Sequence, residues 1–240
     1  MTMKKLIIAA ALAAITTTAS AETIRMGTEG AYPPYNFIND NGEVDGLERE
    51  LGDLLCEIAG LECVWVTNDW DSIIPNLVSG NYDTIIAGMS ITDERDEVID
   101  FTQEYVPADP SAYMALAGTE VDVNGGVIAA QTSTIQASHV ASSGATVVEF
   151  ASADETVAAV RSGEADAVLA DRAFLADIVA ESNGELVFVS EINIGGGVGI
   201  GVRESDAELK AALNAAIDVV KTDGRLNEMV KRWLDVDANY

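Results

Sequence analysis

The 240-residue sequence is poor in base: 13 Lys and Arg stand against 40 Asp and Glu, a formal net charge of −27, and it holds one histidine, two cysteines and 6% aromatics. Each scarcity excludes something. So little positive charge makes nucleic acid and anionic membrane surfaces poor partners. A zinc site needs more ligands than His139, Cys56 and Cys63 can supply, and neither a metal nor another cofactor is expected. A catalytic thiol would need a neighbouring base, and the sole histidine is distant in sequence from both cysteines. Past the first segment no apolar run is long enough for a membrane-spanning helix. What is present is core material. With 48% hydrophobic and 22% charged residues, the chain is too apolar for a disordered acidic tail. Its length suits one large domain or two small ones.

The first segment reads Met1-Thr-Met-Lys4-Lys5, an apolar run over 6–15, then Ala19-Ser20-Ala21. This is the pattern of a secretory signal at 1–21 cleaved after Ala21, which puts the mature chain in the periplasm. The run is too short for a bilayer span, and threonines follow it at once. No cysteine follows the cleavage site, so no lipid anchor is expected. In an exported chain the pair Cys56 and Cys63 reads as a local disulfide, worth at most about 2–3 kcal/mol because the loop it closes is short.

Short apolar or β-branched runs at 24–28, 63–66, 84–87, 127–130, 147–150, 167–170 and 186–189 alternate with helical patterns at 47–59, 71–79, 153–162, 172–182 and 207–223. The alternation predicts an α/β architecture with mostly parallel sheets. A last helix, 225–234, gathers Leu226, Met229, Val230, Trp233 and Leu234 on one face. Two stretches 83 residues apart echo each other: Ser79-Gly80-Asn81-Tyr82-Asp83-Thr84 and Ser162-Gly163-Glu164-Ala165-Asp166-Ala167, each a helix end followed by a buried strand. The echo predicts two lobes of like topology, each a small sheet flanked by helices. The first takes 22–107 plus 202–240 and the second 108–201. The crossings fall at 105–110, where two prolines interrupt, and along the Gly-rich strand 195–203.

Ligands of parallel α/β sheets bind beyond the carboxyl ends of the strands. There the first lobe offers Glu29, Tyr32, Trp70, Gly88, Ser90 and Arg95, and the second offers the 131–134 turn with a helix start at Thr134, and Asp171. An acid, a base, hydroxyls and aromatics converging on one cleft are the complement of an amino-acid zwitterion. Arg95 is the one Lys or Arg between Arg49 and Arg161. Its fork would hold a carboxylate in two bonds, although it could instead neutralise Asp93, Glu94 and Asp96. A base in the first turn of a helix opposes the dipole, which favours the binding role. Asp171 could take an ammonium or simply cap the next helix. His139, on an expected helix, reads as structural.

The segment Asp83-Thr-Ile-Ile-Ala-Gly-Met-Ser-Ile-Thr-Asp-Glu-Arg95, followed by Asp100-Phe-Thr102, resembles the periplasmic solute-binding proteins of polar amino-acid ABC importers. So does Gly46-Leu-Glu-Arg-Glu50-Leu51, although Arg49 replaces the family's usual apolar residue there. The segments 28–37 and 68–71 and the cysteine pair look most like the lysine/arginine/ornithine, histidine and opine branch. The resemblance covers essentially the whole mature chain and implies a two-lobed periplasmic binding protein fold. It implies Arg95 and the Thr134 amide for the α-carboxylate, and Asp171, the Ser90 hydroxyl and the Gly88 carbonyl for the α-ammonium. Tyr32 and Trp70 match an aromatic clamp, and Glu29 matches the acid at the distal end of the ligand. Two serines common in basic-amino-acid members fall on Ala87 and Gly88.

The function expected is a monomeric receptor that delivers a basic L-amino acid of the arginine/lysine/ornithine class to an inner-membrane ABC permease, with no catalysis. An opine, histidine or glutamine receptor, a cyclohexadienyl dehydratase-like enzyme and a soluble amino-acid sensor remain as alternatives. A dehydratase substrate is a dianion, needing a second cation beside Arg95 that the motifs do not offer.

Overall fold

The computed structural model describes residues 23–240, so the expected signal segment and its cleavage after Ala21 lie outside the described residues. Two five-stranded sheets organise the chain. In the first, β1 (Thr23–Thr28) lies between β5 (Glu62–Thr67) and β6 (Thr84–Ile85), parallel to both, and β13 (Val198–Val202) and β7 (Asp100–Val106) complete the sheet antiparallel. In the second, β9 (Val127–Gln131) lies between β10 (Thr146–Phe150) and β11 (Ala167–Asp171), again parallel, and β8 (Ser111–Leu116) and β12 (Leu186–Ile192) complete it antiparallel. The two echoed segments lead into β6 and β11, the middle strand of each sheet. A small antiparallel sheet of β2 (Ala31–Tyr32), β3 (Asn36–Ile38) and β4 (Val44–Asp45) sits beside the first.

The helices form where apolar residues recur at helical spacing. In α1 (Leu47–Ala59), Leu47, Leu51 and Leu55 are four apart and fully buried, and Gly60 ends the helix in the left-handed region. The Arg49 departure leaves this packing intact. Its guanidinium bonds Asp53 at 2.6 Å and lies 5.6 Å over the Trp65 ring, so the residue covers the rim rather than entering the core. α5 (Ala153–Ser162) opens on a capping box of Ser152 and Glu155 and closes at Gly163. α7 (Ala207–Thr222) and α8 (Arg225–Leu234) pack on α1, returning the chain's end to the first sheet. The predicted face of α8 is buried except for Trp233, whose indole N–H instead donates to Glu50 at 2.9 Å. Cys56 in α1 and Cys63 in β5 are joined by a disulfide.

Two strands are not foreseen in the sequence, and a third lies in a stretch expected to be a crossing. The stretches 100–106 and 111–116 are strands, and they carry the antiparallel half of each sheet. Asp100–Val106 lacks clean alternation, and Ser111–Leu116 is a continuous buried run with no β-branched residue. The strand at 198–202 belongs to the first sheet, where its buried glycines let it lie close to Ile85, Ile91 and Ile99. The return therefore runs through residues 193–197, upstream of the expected boundary at 201. Both crossings join matched rungs: Val106 pairs with Val198 in the first sheet and Ser111 with Ile192 in the second.

Ionic ties at the far end of the first sheet hold its strands together. Arg25 in β1 grips Asp83 in two bonds of 2.8 and 2.9 Å, and Arg203, just past β13, reaches the same carboxylate at 3.0 Å. Although burial opposes it, these two guanidinium groups hold Asp83 down to about 2.

Candidate functional site

Five parallel strands end at one place. β1 delivers Glu29 and, one turn on, Tyr32 in β2; β5 leads to Trp70, which opens a single turn of 3-10 helix before α2 (Ile73–Val78). β6 runs into Gly88, Ser90 and the short α3 (Asp93–Asp96), which carries Arg95. From the second sheet, β9 ends on Gln131 ahead of Thr134, the cap of α4 (Ile135–Ser143), and β11 ends on Asp171, ahead of α6 (Arg172–Glu181). All eight residues singled out in the sequence line one cavity of about 330 Å³ between the two sheets. His139, half-buried on α4, lies outside it, along the outer groove.

Arg95 folds back over its own loop. Its Nη1 donates to the Ser90 carbonyl at 2.8 Å, its Nη2 reaches the Ser133 carbonyl of the opposite sheet at 3.3 Å, and the guanidinium lies 5.5 Å over the Trp70 ring. Burial lowers it to about 10, with Asp171 pulling the other way. Ser133 takes a φ of +58°, a left-handed conformation rare for a side-chain-bearing residue and found where a site over-determines the backbone. The Thr134 hydroxyl caps α4 by accepting from the Ala137 amide, and its own amide has no acceptor among the described residues. A donor at a helix start suits an anion.

Asp171 does not cap α6 with its side chain. Its carboxylate instead accepts from the Tyr32 hydroxyl at 2.8 Å and from the Gln136 amide at 2.9 Å. Burial pushes it up to about 6, against the Tyr32 bond. Tyr32 stacks one face on Phe174 at 4.5 Å. Trp70 likewise gives one face to Arg95, so each member of the expected aromatic clamp already has one face committed to protein.

Glu29 accepts from the Gln131 amide across the cleft at 2.7 Å, and burial pushes it up to about 7. Gly88 has a φ of +61°, which accounts for glycine there, and donates its amide to Glu48 at 2.6 Å. Sequence reasoning did not single out Gln136 or Ile135 as lining residues. The signal available was their place in the first turn of a helix that follows a strand end.

Arg95, Asp171 and Glu29 line the cavity, and none has an ion-pair partner among the described residues. Two α/β sheets of like topology with charged groups facing the cleft between them define the periplasmic binding protein type. The chain belongs to the Bacterial extracellular solute-binding proteins, family 3, whose profile matches residues 24–236. It is 32% identical to the L-arginine-binding protein of Pseudomonas aeruginosa over 98% of both chains. It is 31% identical to the lysine/arginine/ornithine-binding periplasmic protein of Escherichia coli, covering 98% of this chain and 99% of that one. Among solved structures, a periplasmic His/Glu/Gln/Arg/opine family-binding protein from Silicibacter pomeroyi in complex with lysine is 67% identical and superposes with a TM-score of 0.87 over 90% of this chain and 98% of that chain.

Proposed function

We propose that this chain is the receptor of an ABC importer for a basic L-amino acid of the arginine/lysine/ornithine class, held between two lobes built on the two sheets. Charge carries the reading. The cavity presents one cation, Arg95, and two carboxylates, Asp171 and Glu29, and none of them is ion-paired. An amino acid with a basic side chain carries the mirror set of one carboxylate and two cations. Its α-carboxylate takes the Arg95 fork and the Thr134 amide. Its α-ammonium takes Asp171, the Ser90 hydroxyl and the Gly88 carbonyl. The aliphatic stem runs past the free faces of Tyr32 and Trp70, and the distal cation meets Glu29. Names of the relatives agree in class.

The chain acts by binding and not by catalysis. A dianionic dehydratase substrate would need a second cation, and Arg95 is the sole one lining the cavity among the described residues. The protein is exported by a signal cleaved after Ala21 and works as a monomer in the periplasm. A thermal-shift screen across the L-amino acids plus ornithine and opines tests the reading, because a ligand that binds only the folded state raises the melting temperature. Lysine, arginine or ornithine should give the largest shifts, and a largest shift with glutamate or aspartate would overturn it.

A further inference from the structure

We infer that Glu48 is a positioning residue for ligand binding: from behind the cavity its carboxylate fixes the Gly88 peptide, the turn that bears Glu29, and the strand end that leads to the first crossing. The inference rests on the reading of Gly88 as an acceptor for the ligand's α-ammonium. Glu48 sits in the first turn of α1 and is fully buried, with no cation beside it among the described residues. A buried carboxylate without a partner base persists only where donors surround it.

Three donors do so, each from a different segment. The Gly88 amide reaches Oε1 at 2.6 Å, the Tyr105 hydroxyl bonds the same oxygen, and the Asn36 side-chain amide reaches Oε2 at 2.7 Å. Asn36 passes the tie on, its Oδ1 accepting from the Gly30 amide at 2.7 Å, directly beside Glu29. Tyr105 is fully buried one residue before the end of β7, where the chain leaves for the second sheet. One carboxylate therefore reaches both poles of the proposed ligand and the base of a crossing.

The Gly88 bond bears on binding most directly. Gly88 has no side chain to anchor it and, as a glycine, takes its φ of +61° as readily as a negative one, so its hydrogen bonds must hold the turn. A charge-assisted bond to its amide fixes the plane of the Ala87–Gly88 peptide, one backbone rotation away from the Gly88 carbonyl offered to an ammonium on the cavity side. Because Gly88 serves the part common to all amino acids, Glu48 should govern affinity more than the choice among side chains.

The test is calorimetry of wild type, Glu48→Gln and Glu48→Asp with lysine and glutamine, each well below its own melting temperature so that the folded fraction is complete. Both variants should bind lysine at least about tenfold more weakly, the scale of one bond to a charged group. Glutamine should weaken in proportion. The amide proton of Gly88 gives a reading on the wild type alone: it should resonate far downfield and move upfield in Glu48→Gln. Unchanged lysine affinity in a folded variant overturns the inference, as does an ordinary Gly88 shift in the wild type, while leaving the proposed function standing. A wild type that binds no amino acid overturns both.

Discussion

Tyr32 and Asp171 bond twice across the cleft: the tyrosine hydroxyl donates to Oδ2 at 2.8 Å and accepts from the Asp171 backbone amide at 3.2 Å. One hydroxyl thus joins the small three-stranded sheet beside the first sheet to the end of β11. Tyr32→Phe keeps the ring and its stacking on Phe174 but removes a donor from a buried carboxylate. Affinity for lysine and glutamine alike should fall by about 1–3 kcal/mol, the cost of losing a bond to a charged group. Titration calorimetry on both ligands checks it, and an effect confined to lysine would place Asp171 at the distal pole instead.

Arg95→Met should abolish binding of every α-amino acid while leaving the melting temperature of the empty protein near wild type. Its guanidinium touches carbonyls and an indole but no carboxylate, so little of the fold depends on its charge. Loss of the two-pronged bond to a ligand carboxylate costs on the order of 2–5 kcal/mol. Affinity close to wild type would remove Arg95 from the site.

Glu29→Gln should weaken lysine, arginine and ornithine against glutamine, since only the basic ligands place a second cation near it. The Gln131 amide can still donate to the oxygen of the new side chain, so the cross-cleft contact survives. Equal losses for both ligand classes would make Glu29 a structural residue.

The pH dependence of binding and of stability should run in opposite directions. Burial lifts Glu29 to about 7 and Asp171 to about 6. A basic side chain needs ionised Glu29, so lysine affinity should fall as pH drops below about 7, while glutamine holds until Asp171 takes a proton nearer 6. In the empty protein both carboxyls hold protons more readily than in the unfolded chain. Their contribution to stability is therefore full only below the ordinary values of 3.8 and 4.5, and is lost as pH rises from there through about 6 and 7. Asp83 has the opposite sign: held near 2 against an ordinary value of 3.8, it stabilises above that value and stops doing so as pH falls toward 2. Thermal melts and calorimetry in parallel from pH 2.5 to 8 separate the three groups.

Reduction of the Cys56–Cys63 disulfide should leave lysine affinity within about twofold while lowering stability by at most about 2–3 kcal/mol. The bond joins α1 to β5, and neither cysteine lines the cavity. A large loss of affinity with retained fold would show that α1 transmits strain to the site.

The sequence was most legible where one physical signal acts alone. α1 and α5 stand where their periodicity, with a closing glycine or a cap, places them, and α8 stands where its apolar face alone places it. Glu29, Gly88, Arg95 and Asp171 are expected to gather because ligands of parallel sheets bind beyond the strand ends, and the four line one cavity. The antiparallel strands β7, β8 and β13 were harder to read. Their residues are chosen by neighbours far along the chain, and Gly199 and Gly201 make room for Ile91 and Ile99 rather than marking a flexible join. Glu48 was hidden for a similar reason. In sequence it is one more acid at a helix start, and its burial follows from Asn36, Gly88 and Tyr105, none of them near it in sequence.

The two crossings leave the first sheet from one rung, Val106 with Val198, and enter the second at one rung, Ser111 with Ile192. They are in effect a two-ply strap and not a pair of separate ropes. A strap folds easily about a line across its width but resists shear and lateral sliding, because its plies are stitched together at both ends. Tied in this way, the two sheets are held in the register at which Gln131 meets Glu29 and Tyr32 meets Asp171.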